Sequence, residues 1–359
     1  MSAARAVLVP FLVTRALVAV VALGAGAIVP PSAAICRNAC DASSIAILNV
    51  ASRWDGDPYL TIARDGYRAD NPSLVAYFPL YPFLMRIGGA LVGSDDAYLA
   101  AGVVISNLAL LAALVYLART VMLDHDATTA TRAAVYLLVF PTTVFLSAVY
   151  AESLFLLLAI AAMFHARRRE WLLAGALAAL AALTRPFGAV IALPLVIEAL
   201  RRPIAIRGLA ATLLAPATFF AWLAVLWLIT GDPRALLTAQ AQWGGRPGLS
   251  LQVFADLFDP TIYGFPYVVL GLTILIGALV LISWRVLRPS LAAYATAVFL
   301  VAISTGSLTS APRYYLAVFP AFIALAVIAP GWLGRAYVVL GAAIGMVLTA
   351  MFAQWYWIG

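Results

Sequence analysis

Long apolar segments separated by short polar ones dominate the pattern of the chain. We count eleven that are apolar enough to form membrane-spanning helices, at 7–29, 97–119, 132–148, 150–166, 171–184, 187–200, 208–230, 262–284, 290–305, 314–330 and 335–353. A bilayer core about 30 Å thick needs about 20 apolar residues in a helix, so the shorter segments have to be tilted or broken. The pattern predicts an all-α polytopic membrane protein with about eleven transmembrane helices in a single domain, 1–359.

Composition supports a membrane protein over a soluble one. Of the 359 residues, 65% are hydrophobic and 10% are charged, whereas soluble domains average about 45–50% apolar and about 25% charged residues. The net charge of +7 would suit nucleic acid, but all 22 basic residues are Arg and they lie scattered between apolar segments. We therefore predict no nucleic-acid partner.

The first apolar segment resembles the start of a signal peptide. It contains Arg15 and is about 23 residues long, longer than the apolar region of a signal peptide. We therefore predict a retained first span.

The distribution of Arg predicts the orientation. With the amino terminus in the cytoplasm, the cytoplasmic connections hold twelve Arg and four acidic residues, and the opposite side holds nine Arg and eleven acidic residues. Cytoplasmic loops are enriched in Arg, so this assignment is favoured. It places two long segments, 30–96 and 231–261, outside the cytoplasm. The aromatic stretch 354–358 is then expected at the outer membrane interface, and the cell membrane is the expected location.

Two aspartates follow the first span in the stretch RWDGDPYLTIARDGY, residues 53–67. Asp57 is predicted to cap a juxtamembrane helix, because Pro58 suits its first position and Gly66 its end. Asp55, next to Trp54, has no such structural role. A carboxylate of this kind at a membrane surface is a candidate base or ligand. The alternative is that Asp55 lies in water or pairs with Arg53.

An aromatic turn follows in the same outer segment. AYFPLYPFLMR, residues 76–86, has two prolines three residues apart among aromatic residues that include Tyr81. It is interpreted either as an interfacial anchor or as the wall of an apolar groove for a lipid chain.

Three further charged residues lie at predicted outer turns. Glu152 begins a span within SAVYAESLF, Arg185 lies in LTRPFG, and Arg313 lies next to Tyr314 in SAPRYYLAVFP. The planar Arg fork binds phosphate well, so both arginines are candidate phosphate ligands. Glu152 is interpreted either as a site residue or as a carboxylate stabilised by the dipole of its helix. Either Arg could instead pair with Glu152 or Asp55.

The second outer segment offers Gln242 and Trp243, an amide and an aromatic ring suited to a sugar, or simply part of a surface loop. Cys36 and Cys40 lie in the first outer segment, where a local disulfide is one interpretation. Two His and two Cys in the whole chain are too few for an ordinary zinc or haem site.

Several other chemistries lack their motifs. The sequence contains no Walker loop, dinucleotide-binding fingerprint or HExxH motif. We also find no paired acids within spans of the kind expected in a proton-coupled transporter. The polar chemistry instead gathers on the predicted outer face.

Five stretches follow the order seen in a known family: residues 53–67, 77–86, 147–155, 183–188 and 313–320. They resemble the PIG-V family (GPI mannosyltransferase 2-like) of the GT-C membrane glycosyltransferases, and the chain looks like a bacterial member. The likeness covers residues from about 50 to 320.

The resemblance implies a GT-C fold with a large first outer loop and an inverting transfer of mannose. The donor would be a polyprenyl-phosphate mannose, and the acceptor a hydroxyl of a glycolipid or glycan at the outer face. The family's catalytic aspartate falls on Asp55, its Tyr-x-Glu-Ser glutamate on Glu152 and its arginine on Arg185. Arg185 or Arg313 would hold the donor phosphate. Six further residues are expected to bind the substrates or to support those that do: Trp54, Asp57, Tyr81, Gln242, Trp243 and Tyr314.

The resemblance also implies that no metal or other cofactor is needed. Asp55 and Asp57 look like a DxD metal motif, but GT-C enzymes with a lipid monophosphate leaving group usually work without metal. Two alternatives remain for the function. One is a GT-C transferase for arabinose, galactose or glucose, and the other is a non-catalytic flippase or binding protein for a lipid-linked sugar.

Overall fold

The described chain consists of helices joined by short irregular segments. The computed structural model describes residues 3–32, 41–241 and 265–359, which contain seventeen α-helices and no β-strand. The α-helices are α1 (Ala3–Gly24), α2 (Ala46–Ala51), α3 (Gly56–Asp65), α4 (Leu80–Gly89), α5 (Asp95–Val121), α6 (Ala127–Leu138), α7 (Glu152–Arg167), α8 (Trp171–Ala182), α9 (Ala192–Leu200), α10 (Ile206–Thr212), α11 (Leu214–Thr230), α12 (Ala235–Ala241), α13 (Pro266–Val286), α14 (Pro289–Ile303), α15 (Ala311–Tyr314), α16 (Phe319–Ile328) and α17 (Trp332–Ala353). Short 3-10 helices lie at Ala25–Ala27, Pro72–Ala76, Thr143–Leu146, Pro186–Ile191 and Tyr315–Ala317.

The chain is a multi-pass membrane protein. In the part that the structure describes, five helical segments are long and apolar enough to cross a bilayer: Ala3–Ala27, Asp95–Val121, Ile206–Thr230, Pro266–Val286 and Trp332–Ala353. The pair 311–317 and 319–328, bent by 73°, would make a sixth. Every predicted apolar segment contains a helix. Several are too short to cross a bilayer straight, so the count of eleven crossings remains a prediction.

Local sequence explains where several helices begin and end. Ser94 and Asp126 cap α5 and α6 through their side-chain oxygens, which accept hydrogen bonds from Ala97 N (3.2 Å) and Thr129 N (2.7 Å). Gly66 ends α3 at a φ of 81°, a conformation that glycine adopts without strain.

The predicted cap at Asp57 is wrong. Helix α3 begins at Gly56, which puts Asp57 in the first turn and Asp55 at the cap position, without a side-chain capping bond. The chain enters the helix through Trp54 at a φ of 62°, a left-handed conformation that is uncommon for a side chain of this size. The Asp55 carboxylate points instead to a partner far along the chain.

Arg15 lies buried within α1 and has a structural role. Its guanidinium donates to the Thr143 carbonyl (3.0 Å), to Thr143 Oγ1 (2.8 Å) and to the Leu138 carbonyl (3.4 Å). Leu138 is the last residue of α6 and Thr143 the first of the next 3-10 helix, and a helix end leaves its last carbonyls without helical partners. Arg15 therefore stabilises a break in the helical structure inside the bundle.

Breaks of this kind are joined to one another by hydrogen bonds, and non-helical backbone is tolerated within a membrane protein where protein surrounds it. The segment 41–96 is tied to two of them, as Val149 N donates to the Ala51 carbonyl (2.8 Å) and Leu80 N to the Leu183 carbonyl (2.9 Å). Thr142 joins two breaks by donating to the Pro312 carbonyl (2.9 Å). These bonds gather residues from four distant parts of the chain around Asp55.

Candidate active site

Asp55 pairs with Arg313, 258 residues further along the chain. Arg313 Nη1 donates to Asp55 Oδ2, and the Tyr77 hydroxyl donates to Asp55 Oδ1 (3.2 Å). The Asp55 backbone N donates to the Tyr150 hydroxyl (3.1 Å). The Asp55 side chain is 17% exposed and that of Arg313 is 7% exposed. The carboxylate is therefore held in one orientation yet remains within reach of a ligand.

Glu152 connects the two arginines. Its Oε1 accepts a hydrogen bond from Arg185 Nη1 (2.6 Å) and lies 3.3 Å from Arg313 Nε, an ion pair without hydrogen-bond geometry. Glu152 is the first residue of α7, where the helix dipole favours a negative charge. The four side chains thus form a chain of alternating charge: Asp55, Arg313, Glu152 and Arg185.

Aromatic rings surround both guanidinium groups. That of Arg185 lies 5.0 Å from the Tyr314 ring centroid and 5.5 Å from that of Phe187. That of Arg313 lies 5.3 to 5.5 Å from four ring centroids, those of Tyr314, Trp357, Phe145 and Tyr150. Aromatic faces attract cations, most strongly where water is excluded.

Five residues predicted for the site lie together: Asp55, Glu152, Arg185, Arg313 and Tyr314. The alternative that the arginines pair with these carboxylates is confirmed, because Arg185 pairs with Glu152, and Arg313 with Asp55 and Glu152. Arg53 pairs with Asp41 (3.2 Å) rather than with Asp55.

Other predicted residues have different positions. Tyr81 is fully buried, and its hydroxyl donates to the Gly102 carbonyl (2.9 Å) and lies 2.8 Å from Ser106 Oγ, so it joins α4 to α5. Asp57 is exposed in the first turn of α3. Trp54 borders the site, with its ring centroid 5.1 Å from that of Trp357. Four residues named in the sequence analysis lie outside the described residues: Gln242, Trp243, Cys36 and Cys40.

The 354–359 segment contributes to the site, which the sequence did not indicate. Its aromatic residues were expected at the membrane interface, but Trp357 packs against Trp54 and Arg313. Trp355 lies 5.9 Å from Trp54, centroid to centroid. Arg53 Nε donates to the Ala353 carbonyl (3.3 Å) and fixes the start of this segment.

Tyr77 is a second residue whose role the sequence did not reveal. Burial and the nearby charge of Asp55 raise the pKa of its phenol, so Tyr77 stays protonated and acts as a hydrogen-bond donor. The aromatic turn predicted at 76–86 therefore supplies a direct partner of Asp55. A tyrosine in an aromatic stretch gives no sign in the sequence of which residue its hydroxyl will contact.

We expect Tyr77→Phe to lower the rate of any reaction at Asp55 by about 10-fold and to leave the fold intact. The ring and its packing on Tyr59 are kept, and only the hydrogen bond to a charged acceptor is lost, worth about 1.5–3 kcal/mol. Turnover and thermal unfolding of purified protein measure both effects. Tyr116→Phe removes a hydroxyl that contacts His165, away from the site, and should change nothing. Equal turnover in the two variants would contradict a role for Tyr77.

The arrangement suits the transfer of a group that leaves as an anion. Asp55 can accept a proton. The guanidinium group of Arg313 contacts it directly, and that of Arg185 is linked to Arg313 through Glu152. Within residues 3–32, 41–241 and 265–359, no three His, Cys, Asp or Glu side chains group closely enough to hold a metal ion. Independence from metal remains a prediction.

The sequence of this chain is similar to those of known mannosyltransferases. The family model for the PIG-V mannosyltransferases matches residues 7–202, more than half of the chain. The GPI alpha-1,6-mannosyltransferase 2 of Mus musculus is 33% identical over 152 residues, which cover 40% of this chain and 30% of that protein. The Rattus norvegicus protein of the same name is 33% identical over 153 residues, 40% of this chain and 31% of that protein. The match thus spans less than a third of either relative.

One solved structure shows a related fold. ArnT from Cupriavidus metallidurans, solved bound to undecaprenyl phosphate, has a TM-score of 0.51 and 17% identity over 82% of this chain and 58% of that one. The oligosaccharyltransferase of Archaeoglobus fulgidus has a TM-score of 0.47 and 14% identity over 97% of this chain and 55% of that one. The predicted all-α GT-C fold is confirmed. Because the family model matches more than half of its sequence, this chain belongs to the PIG-V mannosyltransferase family.

Proposed function

We propose that the protein is an inverting glycosyltransferase that moves mannose from a polyprenyl-phosphate donor to a hydroxyl of a glycolipid or glycan. The observation that carries this proposal is the half-buried Asp55 carboxylate, oriented by Arg313 and Tyr77 beside the Arg185–Glu152 pair. The family and the names of the relatives support mannose as the sugar. ArnT, which shares the fold, was solved with a polyprenyl phosphate bound, which supports a donor of that class.

In this reaction Asp55 acts as the general base. The acceptor hydroxyl attacks the anomeric carbon from the face opposite the phosphate, Asp55 takes the hydroxyl proton, and the bond between that carbon and the phosphate oxygen breaks. The sugar changes configuration and the lipid phosphate leaves with the electron pair. General base catalysis typically contributes about 10²–10⁴-fold to the rate.

The two arginines have different parts in the proposal. Arg185, with a side chain 12% exposed, is more accessible than Arg313 at 7% and would hold the leaving phosphate. Arg313 orients Asp55 and is therefore a positioning residue. A donor phosphate arriving beside Arg185 would compete with Asp55 for Arg313, because guanidinium binds both anions. This competition would weaken the ion pair without breaking it, so Asp55 would stay oriented by Arg313 and become basic enough to accept a proton.

The reaction is proposed to take place on the outer face of the cell membrane. The Arg-rich connections support the assignment of their side to the cytoplasm, and Asp55 lies in the long segment assigned to the opposite side. The lipid chain of the donor would reach the site from the bilayer through an apolar groove.

We expect EDTA to leave turnover unchanged. Arg313 and Tyr77 already occupy the oxygens of Asp55, and a divalent cation there would lie against a guanidinium group, which repels it. Turnover of purified protein with and without EDTA tests this prediction. Loss of activity that Mn²⁺ restores would contradict metal independence and point to Asp55 and Asp57 as ligands.

Competition between donors tests which sugar the protein transfers. Purified protein is given radiolabelled polyprenyl-phosphate mannose and a membrane lipid extract, with unlabelled arabinose, galactose or glucose donors as competitors. We expect a labelled lipid product and effective competition by the mannose donor alone. Transfer of another sugar at a higher kcat/KM would replace mannose in the proposal. Movement of intact donor across the bilayer with no labelled product would favour a flippase.

A further inference from the structure

Tyr59 is a buried residue of α3 whose hydroxyl has no part in the steps described so far. The residue is 6% exposed, and its hydroxyl makes no hydrogen bond to any residue that the structure describes. A buried tyrosine hydroxyl usually has a partner, so one without a partner needs an explanation. The hydroxyl oxygen retains some accessible surface, unlike the indole nitrogens of Trp54 and Trp355, which are fully covered. An incoming ligand can therefore supply the missing partner.

The neighbouring tyrosines fix the ring of Tyr59 and use their own hydroxyls within the protein. The hydroxyls of Tyr77, Tyr81 and Tyr150 all donate to protein oxygens, at 3.2, 2.9 and 3.1 Å. The Tyr59 ring packs edge-on against the rings of Tyr77 and Tyr81, with centroid distances of 5.2 and 5.0 Å. Tyr314, already expected to support the substrates, also lacks a hydroxyl partner in the described chain. The Tyr59 hydroxyl is thus held in place before a ligand arrives.

The position of Tyr59 relates its hydroxyl to the reacting groups. Tyr59 follows Asp55 by one helical turn, and its backbone N donates to the Asp55 carbonyl (3.2 Å), so the two side chains are neighbours on α3. Burial, and after it the charge of Glu152, raise the pKa of the Tyr59 phenol, and three more charges act on it, those of Arg185, Asp55 and Arg313. The hydroxyl therefore stays protonated and lies near both ion pairs of the site.

A group close to both ion pairs faces the space where the sugar has to lie. In an inverting transfer, the anomeric carbon lies between the attacking hydroxyl, which Asp55 deprotonates in our proposal, and the leaving phosphate, which Arg185 holds. The transferred sugar occupies the space between these two groups. A phenol hydroxyl donates one hydrogen bond and also accepts, which suits the hydroxyl groups of a sugar.

We propose that Tyr59 binds the transferred sugar, with its hydroxyl hydrogen-bonded to a hydroxyl group of the hexose. Tyr59 then contributes to the choice of sugar, because a donor without the matching hydroxyl would leave a buried polar group unpaired. That the sugar arrives on a polyprenyl phosphate, and that it is then transferred, rests on the proposed function.

Binding of two ligands in the absence of an acceptor tests this proposal. They are radiolabelled polyprenyl-phosphate mannose and radiolabelled polyprenyl phosphate, which share the lipid and the phosphate. Each is added to the purified full chain in phosphatidylcholine nanodiscs. Tyr59→Phe keeps the ring and removes the hydroxyl. It should weaken binding of the mannose donor by about 3- to 10-fold, the loss of one neutral hydrogen bond, and leave binding of polyprenyl phosphate unchanged.

Thermal unfolding separates sugar binding from a structural role. The Tyr59 hydroxyl has no partner among the described residues, so its removal costs the free protein no hydrogen bond and should not lower the thermal midpoint. Tyr98→Phe is the matched control. The Tyr98 hydroxyl also lacks a partner in the part of the chain that is described, but its ring lies against Gly89 at the end of α4. This variant should bind both ligands like wild type.

Arg185→Lys should give a different pattern from Tyr59→Phe. Lysine keeps the charge but lacks the planar fork that suits phosphate. Because both ligands carry the phosphate, this variant should weaken the binding of both. The comparison distinguishes a residue that binds the sugar from one that binds the phosphate.

Three results would overturn the proposal for Tyr59. They are unchanged binding of the mannose donor by Tyr59→Phe, equal weakening of both ligands, which would assign the hydroxyl to the phosphate, and a lower thermal midpoint with both ligands weakened. The proposed function fails separately. If Tyr59→Phe gives the expected difference but wild type transfers mannose to no membrane lipid, the sugar site stands and the transferase proposal does not.

Discussion

Asp55→Asn is expected to lower the rate of mannose transfer by about 10²–10⁴-fold, the usual contribution of a general base. Asparagine has nearly the same shape as aspartate and can still accept a hydrogen bond from Tyr77, but it cannot take a proton from the acceptor hydroxyl. Binding of the donor should be retained, because the phosphate ligand in this account is Arg185. Single-turnover kinetics with excess enzyme measure the chemical step, and a donor-binding assay measures retention.

Asp65→Asn is the matched control for this prediction. Asp65 belongs to the same helix, is exposed, and pairs with Arg64 (3.0 Å) at the surface. Exposed ion pairs contribute little to stability. Its variant should transfer mannose like wild type. If Asp55→Asn retained more than a tenth of the wild-type rate, Asp55 would not be the base.

Arg313→Gln is expected to lower both stability and activity. The substitution leaves the Asp55 and Glu152 carboxylates close together, with Arg185 as the remaining cation among the four charged groups. Removing one partner from a buried ion pair typically costs about 3–5 kcal/mol, because the other charge stays buried without compensation. The free energy of unfolding, or the thermal midpoint in one detergent, measures the loss. Transfer should fall by at least 100-fold as Asp55 loses its orientation.

Two further variants separate charge from geometry. Arg313→Lys keeps the charge, but a single ammonium group lacks the planar fork that contacts Asp55 and Glu152 together. We therefore expect this variant to be more stable than Arg313→Gln and only weakly active. Arg68→Gln removes an exposed Arg paired with Asp70 and should be neutral. An Arg313→Gln protein as stable as wild type would show that this ion pair does not hold the site together.

Much of the fold is predictable from hydrophobic pattern alone. Each of the eleven apolar segments contains a helix, because unbroken apolar runs in a membrane have few other ways to satisfy their backbone groups. What the pattern misses is where helices break. Segment 132–148 was expected as one span, but α6 ends at Leu138 and a 3-10 turn follows at Thr143–Leu146. Arg15, distant in sequence, stabilises that break, and a local pattern cannot anticipate such a contact.

The residues of the site were easier to predict than their partners. Four charged residues stand out in the sequence, because a charge in an apolar segment is costly and usually has a function. They are Asp55, Glu152, Arg185 and Arg313. Which Arg meets which carboxylate depends on contacts across up to 258 residues, so the sequence left the pairings open. Trp357 and Tyr77 could not be singled out, because aromatic residues are common in this chain and equally suit a membrane interface.

The error at Asp57 has a local cause. Asp followed by Pro is a common helix start, and the sequence rule placed the cap there. The left-handed turn at Trp54 begins the helix earlier, at Gly56, and leaves Asp57 exposed in the first turn. At this turn Trp54 packs against the 354–359 segment. A rule based on neighbouring residues cannot take such a distant contact into account.

The central claim is that Asp55 carries an inverting transfer of mannose from a polyprenyl phosphate. The most direct measurement is the anomeric configuration of the labelled product, formed by purified wild-type protein from polyprenyl-phosphate mannose of known configuration and a membrane lipid extract. The account predicts a mannosylated lipid with the configuration opposite to that of the donor. A product with the donor's own configuration, or no product from an enzyme that demonstrably binds the donor, would contradict it.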